Sequence, residues 1–205
     1  MAKRTKTIYF CSFEILTHKQ ESTNLGIFVI LQGFRNHKRM HIRQATYNDI
    51  GRLMVIFDNA KAIMRESGNT EQWNGPYPTV EVVRNDIEAD NCFVLCEGKA
   101  SGSDQHDDEE IIGTMALIPG PEPTYGHIEG QWDNDEPYYV IHRIATYAPG
   151  RNTAVKMFDW AYGHIAEKGC RTIRIDTHKD NCIMKHILTK YGFTECGVIY
   201  LESGD

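Results

Sequence analysis

The run Tyr147-Ala148-Pro149-Gly150-Arg151-Asn152-Thr153-Ala154 carries the chain out of an apolar strand pattern directly into a helical one. The first turn of a helix presents unpaired N–H groups and a partial positive charge, so such a junction can receive a pyrophosphate. It is neither a Walker A loop nor a G-x-G-x-x-G fingerprint, and taken alone it is either a phosphate cradle or a plain connection. Shortly before it stands His142, a histidine that could serve as a base, since imidazoles as a class titrate near neutral pH, or could simply hydrogen-bond within a sheet. Glu129 and Glu136 lie in a long acidic loop and could hold a cation or pass a proton through water. The other reading of both is a solvated loop face. Trp73, Tyr77 and Trp132 could wall a small-molecule pocket, or pack a core and anchor loops. His178, Cys182 and His186 fall at i, i+4 and i+8, but three residues over two helical turns do not converge on one ion and His178 precedes the helix. No metal is expected there.

The elements that must position these residues follow from periodicity. His41 to Ala45 alternates as a strand, and Thr46-x-x-Asp49 offers an oxygen and a carboxylate to a helix start. Ile50, Leu53, Met54, Phe57, Ala60, Ile63 and Met64 then recur at helical spacing to about Ser67. A second helical pattern runs through Val80, Val83 and Ile87. Cys92 to Cys96 and Ile111 to Ile118 read as strands, joined by a polar, acidic loop from Lys99 to Glu110. The loop from Pro119 to Pro137 is long for a compact domain, which suits a functional loop better than an idle one. Tyr138 to Thr146 is a strand, Thr153 to Lys168 an amphipathic helix stopped by Gly169, Ile173 and Ile175 mark a strand, Asn181 to Lys190 a helix ended by Gly192, and Thr194 to Leu201 a last strand. The order β-α-α-β-β-β-α-β-α-β predicts an α/β fold with a mixed sheet, its strand-helix-strand second half forming a parallel pair.

Composition narrows the function. Of 205 residues, 41% are hydrophobic and the formal net charge is −6. Residues 1–39 hold seven basic and two acidic side chains, leaving 40–205 with fifteen and twenty-six. An acidic body argues against nucleic-acid binding and suits a cationic partner. Six scattered cysteines without a C-x-x-C pair read as reduced, buried thiols. Apolar runs are far shorter than the ~20 residues a bilayer requires, so no membrane role is expected, and a cytoplasmic location follows. Met40 reads as a natural beginning, with 1–39 a basic leader that is disordered or outside the core.

The strand Val140-Ile141-His142-Arg143-Ile144-Ala145-Thr146, the loop Gly150-Arg151-Asn152-Thr153-Ala154 and the ending from Asp180-Asn181 to Lys190-Tyr191-Gly192-Phe193 resemble the GNAT family of acyl-CoA N-acyltransferases. Gln72-Trp73-Asn74-x-x-Tyr77-Pro78, Pro123-Thr124-Tyr125, Ile128-Glu129-Gly130-x-Trp132, Asp135-Glu136-Pro137-Tyr138 and Arg174-Ile175-Asp176-Thr177-His178 are similar to a bacterial subgroup of small acetyltransferases. The match covers about 40–205. It implies the GNAT fold, a mixed central sheet flanked by helices, in which the family's last strand is either missing or supplied from elsewhere, Ile8-Tyr9-Phe10 being one source.

The resemblance implies acetyl-CoA as cosubstrate. Its pantetheine amides would pair with the backbone of Ile144, Ala145 and Thr146, and its pyrophosphate would rest on Gly150, Arg151, Asn152, Thr153 and Ala154. Asn181 matches a position that bonds the pantetheine arm. An amine acceptor, a small molecule or a peptide, would attack directly in a ternary complex. His142 stands where some relatives carry a carboxylate base, Glu129 and Glu136 would take the ammonium or its proton, Trp73, Tyr77 and Trp132 would line the pocket, and the N–H near Ile144 would hold the oxyanion. Three positions depart from the family pattern: Pro149, Asn152 where a Gly is usual, and Leu188 where many relatives place an acidic Tyr. They leave open a catalytically degenerate GNAT module. The protein is expected as a monomer or homodimer.

Overall fold

The computed structural model describes residues 4–12, 40–98, 109–147 and 152–202. Strand β1 spans Arg4–Ser12, β2 Met40–Gln44, helix α1 Ile50–Glu66, α2 Val80–Glu88, β3 Cys92–Glu97, β4 Glu110–Pro119, β5 Glu129–Gly130, β6 Tyr138–Thr146, α3 Thr153–Glu167, β7 Thr172–His178, α4 Cys182–Tyr191 and β8 Phe193–Glu202. Each helix starts or stops where its chemistry allows. Asp49 Oδ2 takes the N–H of Thr46 at 2.7 Å ahead of α1, Thr79 Oγ1 takes the N–H of Val82 at the start of α2, and Asn181 Oδ1 takes that of Met184 at the start of α4. Gly192, at φ 113°, turns the chain out of α4 in a left-handed conformation that costs a glycine nothing.

The strands form one mixed sheet in the order β2-β3-β4-β6-β7-β1-β8-β5, antiparallel throughout except for β6 and β7. The helices cover its two faces. Phe158, Ala161 and Ile165 of α3 and Leu188 of α4 pack with Ile141, Ile173 and Ile175 of the sheet, while Leu53, Ile56 and Phe57 of α1 and Val83 of α2 pack with Cys92, Val94 and Cys96. Strands that alternate between two buried faces explain why the apolar periodicity located nearly every element.

The leader departs from the expected picture. Arg4–Ser12 is a full strand between β7 and β8, paired from Thr7↔His178 to Cys11↔Arg174 on one side and from Arg4↔Glu202 to Ser12↔Phe193 on the other. This segment therefore belongs to the sheet, in the place a missing strand would have left open; residues 13–39 lie outside the described residues. The cysteine picture also changes: Cys92, Cys96 and Cys170 are buried free thiols and Cys182 is an exposed one, but Cys196 is disulfide-bonded.

Two features shape the middle of the sheet. Strands β6 and β7 pair in register from Tyr138↔Thr172 to Ile141↔Ile175 and then part, leaving the rest of β6 without a strand partner on that side among the described residues. On its other side β6 carries a bulge against β4, where the register shifts between Thr114↔Ala145 and Ala116↔His142. Within the bulge Arg143 sits at φ 51°, and its guanidinium is locked to Asp86 of α2 by two bonds of 2.8 and 2.7 Å and to the Tyr77 hydroxyl at 2.9 Å. Asp86→Ala would leave a desolvated guanidinium without its partner. The expected cost is about 3 kcal/mol, read as a lower urea midpoint with an unchanged m-value.

Candidate functional site

The parting of β6 and β7 opens a cleft of about 590 Å³, lined by the end of both strands, the starts of α3 and α4, and the inner face of α1. Ile144, Ala145, Thr146, Asn152, Thr153, Ala154, Asn181, His142, Trp73 and Tyr77 all border it. Those predicted residues are thus brought together. Gly150 and Arg151, with Pro149, lie outside the described residues.

Asn152 adopts φ 54°, the left-handed conformation that asparagine tolerates better than most side chains, and its side chain makes no capping bond. Thr153 follows at the first position of the helix, with its Oγ1 buried and lacking a hydrogen-bond partner among the described residues. A buried hydroxyl at a helix start, beside N–H groups that have no intrahelical acceptor, is the kind of site that an anion completes. Asn181 is already engaged: besides capping α4, its Nδ2 donates to Gln72 Oε1 at 2.9 Å. Leu188, the departure on α4, is fully buried in the core.

His142 is the centre of the polar wall. Its Nε2 lies 3.3 Å from Glu122 Oε2 and its Nδ1 3.7 Å from Asp176 Oδ1, and the Tyr125 hydroxyl donates to the same Asp176 oxygen at 2.7 Å. The hydrogen bond from His142, opposed by burial and aided by the Thr124 N–H and hydroxyl, holds the Glu122 carboxyl down at about 2. Neither carboxylate was singled out from the sequence. Asp176 follows Ile175, the partner of Ile141, so the parallel register itself would have set it beside His142.

Three predicted residues lie elsewhere. Glu129 is on β5 at the far end of the sheet, exposed, with its carboxylate taking the Tyr200 hydroxyl. Glu136 is exposed in the loop ahead of β6 and does not border the cleft. Trp132 stacks against Tyr125, with the Arg174 guanidinium 4.1 Å from its ring, so it anchors the loop instead of walling the pocket. Of the long acidic loop, Glu122 and Thr124 border the cleft. On α4, Cys182 and His186 are exposed while His178 is buried at the end of β7, and they form no ligand group. Among the described residues, His41, Cys96 and Glu109 do gather ligand atoms within 4.8 Å of one another. There the Arg43 guanidinium bonds Glu109 at 2.9 Å and already supplies the positive charge.

The overall fold is shared with solved acetyltransferases. A GNAT-family acetyltransferase from Streptococcus agalactiae 2603 is 26% identical, aligning over 81% of this chain and 96% of its own with a TM-score of 0.59. The chain has the GNAT fold. A putative acetyltransferase from Staphylococcus aureus Mu50, 22% identical over 78% of this chain and 97% of its own, superposes with a TM-score of 0.57. The aminoglycoside N-acetyltransferase AAC(6')-Iy, solved with the bisubstrate analogue CoA-S-monomethyl-acetylneamine, shares the fold at 16% identity, over 82% of this chain and 99% of its own, with a TM-score of 0.53. No family model and no curated protein matches the sequence. The fold is therefore secured by structure where sequence similarity is faint.

Glu122 links the GNAT cleft to acid stability. Its carboxyl is held below the ordinary value of 4.5, so the pair with His142 contributes stability that is present above about pH 4.5 and is lost as pH falls toward about 2. In Glu122→Gln the fall of melting temperature between pH 5 and pH 2 should be shallower than in the wild type, measured by circular dichroism.

Proposed function

We propose that the protein transfers an acetyl group from acetyl-CoA to a primary amine, by direct attack in a ternary complex. The observation that carries this reading is the splay of β6 from β7, which among the described residues leaves main-chain groups of β6 without a strand partner, and the nearby α3 N-terminus with its Thr153 hydroxyl, also unpartnered among those residues. The pantetheine amides would take the place of the absent strand along Ile144, Ala145 and Thr146. The pyrophosphate would rest on the first turn of α3, on Asn152, Thr153 and Ala154, with Gly150 and Arg151 ahead of them. AAC(6')-Iy, which binds a CoA-linked analogue in the same fold, supports the choice of cosubstrate.

An amine arrives mostly as ammonium and must lose a proton before it can attack. Glu122 and Asp176 give the cleft two carboxylates that attract the cation, and His142, set between them, takes the proton. Once the nitrogen adds to the thioester carbonyl, the oxygen becomes an anion and accepts a hydrogen bond from the main chain at Ile144. Trp73 and Tyr77 form the acceptor's apolar wall. The acceptor is a small-molecule or peptide amine, and the setting is the cytoplasm. Among the described residues no helix is long and apolar enough to cross a membrane.

Acetyl-CoA is expected to raise the melting temperature, and an amine panel of polyamines, amino acids, aminoglycosides and peptides is expected to release CoA, followed as free thiol. His142→Gln should lower kcat on the best acceptor by roughly 100-fold or more while leaving acetyl-CoA binding intact. An absence of both protection and CoA release would overturn the reading. Protection without release from any acceptor would favour the degenerate module.

A further inference from the structure

The parallel register extends past the last pair as a guide to what faces what across the cleft. Ile141 pairs with Ile175. One residue further, the register sets Asp176 beside His142, and their side chains are indeed 3.7 Å apart. Two residues beyond that it sets His178 across the gap from Ile144, with the bulge at Arg143 moving the match by one residue at most, to Ala145. The last residue of β7 therefore stands opposite the backbone assigned to the thioester.

The orientation of His178 is imposed by its own chain. Its Nδ1 accepts the N–H of Asp180 at 3.2 Å, which requires the ring proton to be on Nε2. The side chain is only 3% exposed and borders the cleft. Burial pulls the imidazole below its ordinary range, with Lys179 and Lys185 in the same sense and Asp180 and Glu71 opposing, so near neutral pH the ring is uncharged. A neutral imidazole with a fixed tautomer is a hydrogen-bond donor that cannot itself act as the base.

We infer that the Nε2–H of His178 is the donor that receives the departing sulfur of acetyl-CoA. The inference rests on the acetyl-transfer reading above and adds to it a catalytic residue for the leaving group. The free amine attacks the carbonyl carbon. As the tetrahedral adduct collapses the C–S bond breaks, its electron pair goes to sulfur, and the surplus proton on nitrogen passes to His142, which has by then released the ammonium's proton to solvent. The thiolate, held by Nε2–H, then takes a proton from water, and His178 keeps its own throughout. Leu188 offers no such donor, and His178 at the end of β7 supplies it instead.

The test reads the thiol directly. CoA bound to the wild-type protein is titrated by the ultraviolet absorbance of its thiolate, alongside His178→Ala and His178→Gln, the glutamine retaining an N–H near the Nε2 position. The bound thiol is expected to ionise at lower pH than free CoA in the wild type, to return to the free value in His178→Ala, and to shift back in His178→Gln. Turnover should fall roughly tenfold to a hundredfold in His178→Ala, with the KM for acetyl-CoA unchanged and partial recovery in His178→Gln. Equal thiol titration in wild type and His178→Ala, or equal activity loss in both variants, overturns the assignment. A wild-type protein that binds no CoA overturns the acetyl-transfer reading itself, an outcome distinct from bound CoA with an unshifted thiol.

Discussion

The bidentate pair between Arg143 and Asp86 is the constraint on which the cleft depends. A non-glycine residue at φ 51° inside a strand is unfavourable by about 1–2 kcal/mol, and nothing local in β6 offsets that cost. The compensation comes from across the fold, through two charge-assisted bonds to Asp86 and a third contact with Tyr77. Burial on its own would lower the Arg143 pKa, yet Tyr77 and Asp86 raise it, and the guanidinium stays charged. For Asp86 burial is the larger influence and pushes its carboxyl up, so the pair is held by geometry as much as by charge. The consequence is structural: α2, the loop carrying Trp73 and Tyr77, and the bulged backbone of β6 are tied at one point. The wall that would meet an acceptor cannot move without moving the main chain that would meet the thioester.

The same arrangement separates charges that would otherwise conflict. The chain is acidic overall, and a CoA-type ligand is an anion. Glu122 and Asp176 lie on the face of the sheet that carries α1 and α2, next to His142. The buried Thr153 hydroxyl and the free N–H groups of α3 lie on the other face, where Leu188, Phe158 and Ile175 form the core. The sheet divides the two, and the splay is the passage between them. A cation drawn to the carboxylates and an anion drawn to the helix start would meet only there.

Much of this was legible in the sequence, and the failures have identifiable physical causes. Elements packed between two layers announce themselves by period, so β3, β4, β6, α3 and α4 fell within a residue or two of their observed bounds. Ile8-Tyr9-Phe10 is too short a pattern to reveal a partner, and strand pairing between the first and last segments of a chain leaves no local trace. Loops are harder still. Glu129, Trp132 and Glu136 belong to a segment without periodicity, and it takes the pairing of Glu129 and Gly130 with β8 and the cation–π contact of Arg174 with Trp132 to show that the loop folds away from the cleft beyond Tyr125. Asp176 was available in principle, since it needed only the parallel register that the order of elements already implied. Glu122 was not, because a residue within a Pro-rich turn can point anywhere until the turn is placed.

His142 and His178 show how one side-chain type takes two roles from its surroundings. His142 lies between two carboxylates, one hydrogen-bonded and one at 3.7 Å. His178 is enclosed, with one nitrogen committed to a main-chain N–H, so gaining a proton would break that bond and bury a charge. In the proposed reaction the first accepts a proton and the second keeps one. They stand on neighbouring parallel strands at the point where the strands diverge, which is where an acyl transfer must remove a proton from the nucleophile and stabilise charge on the leaving group.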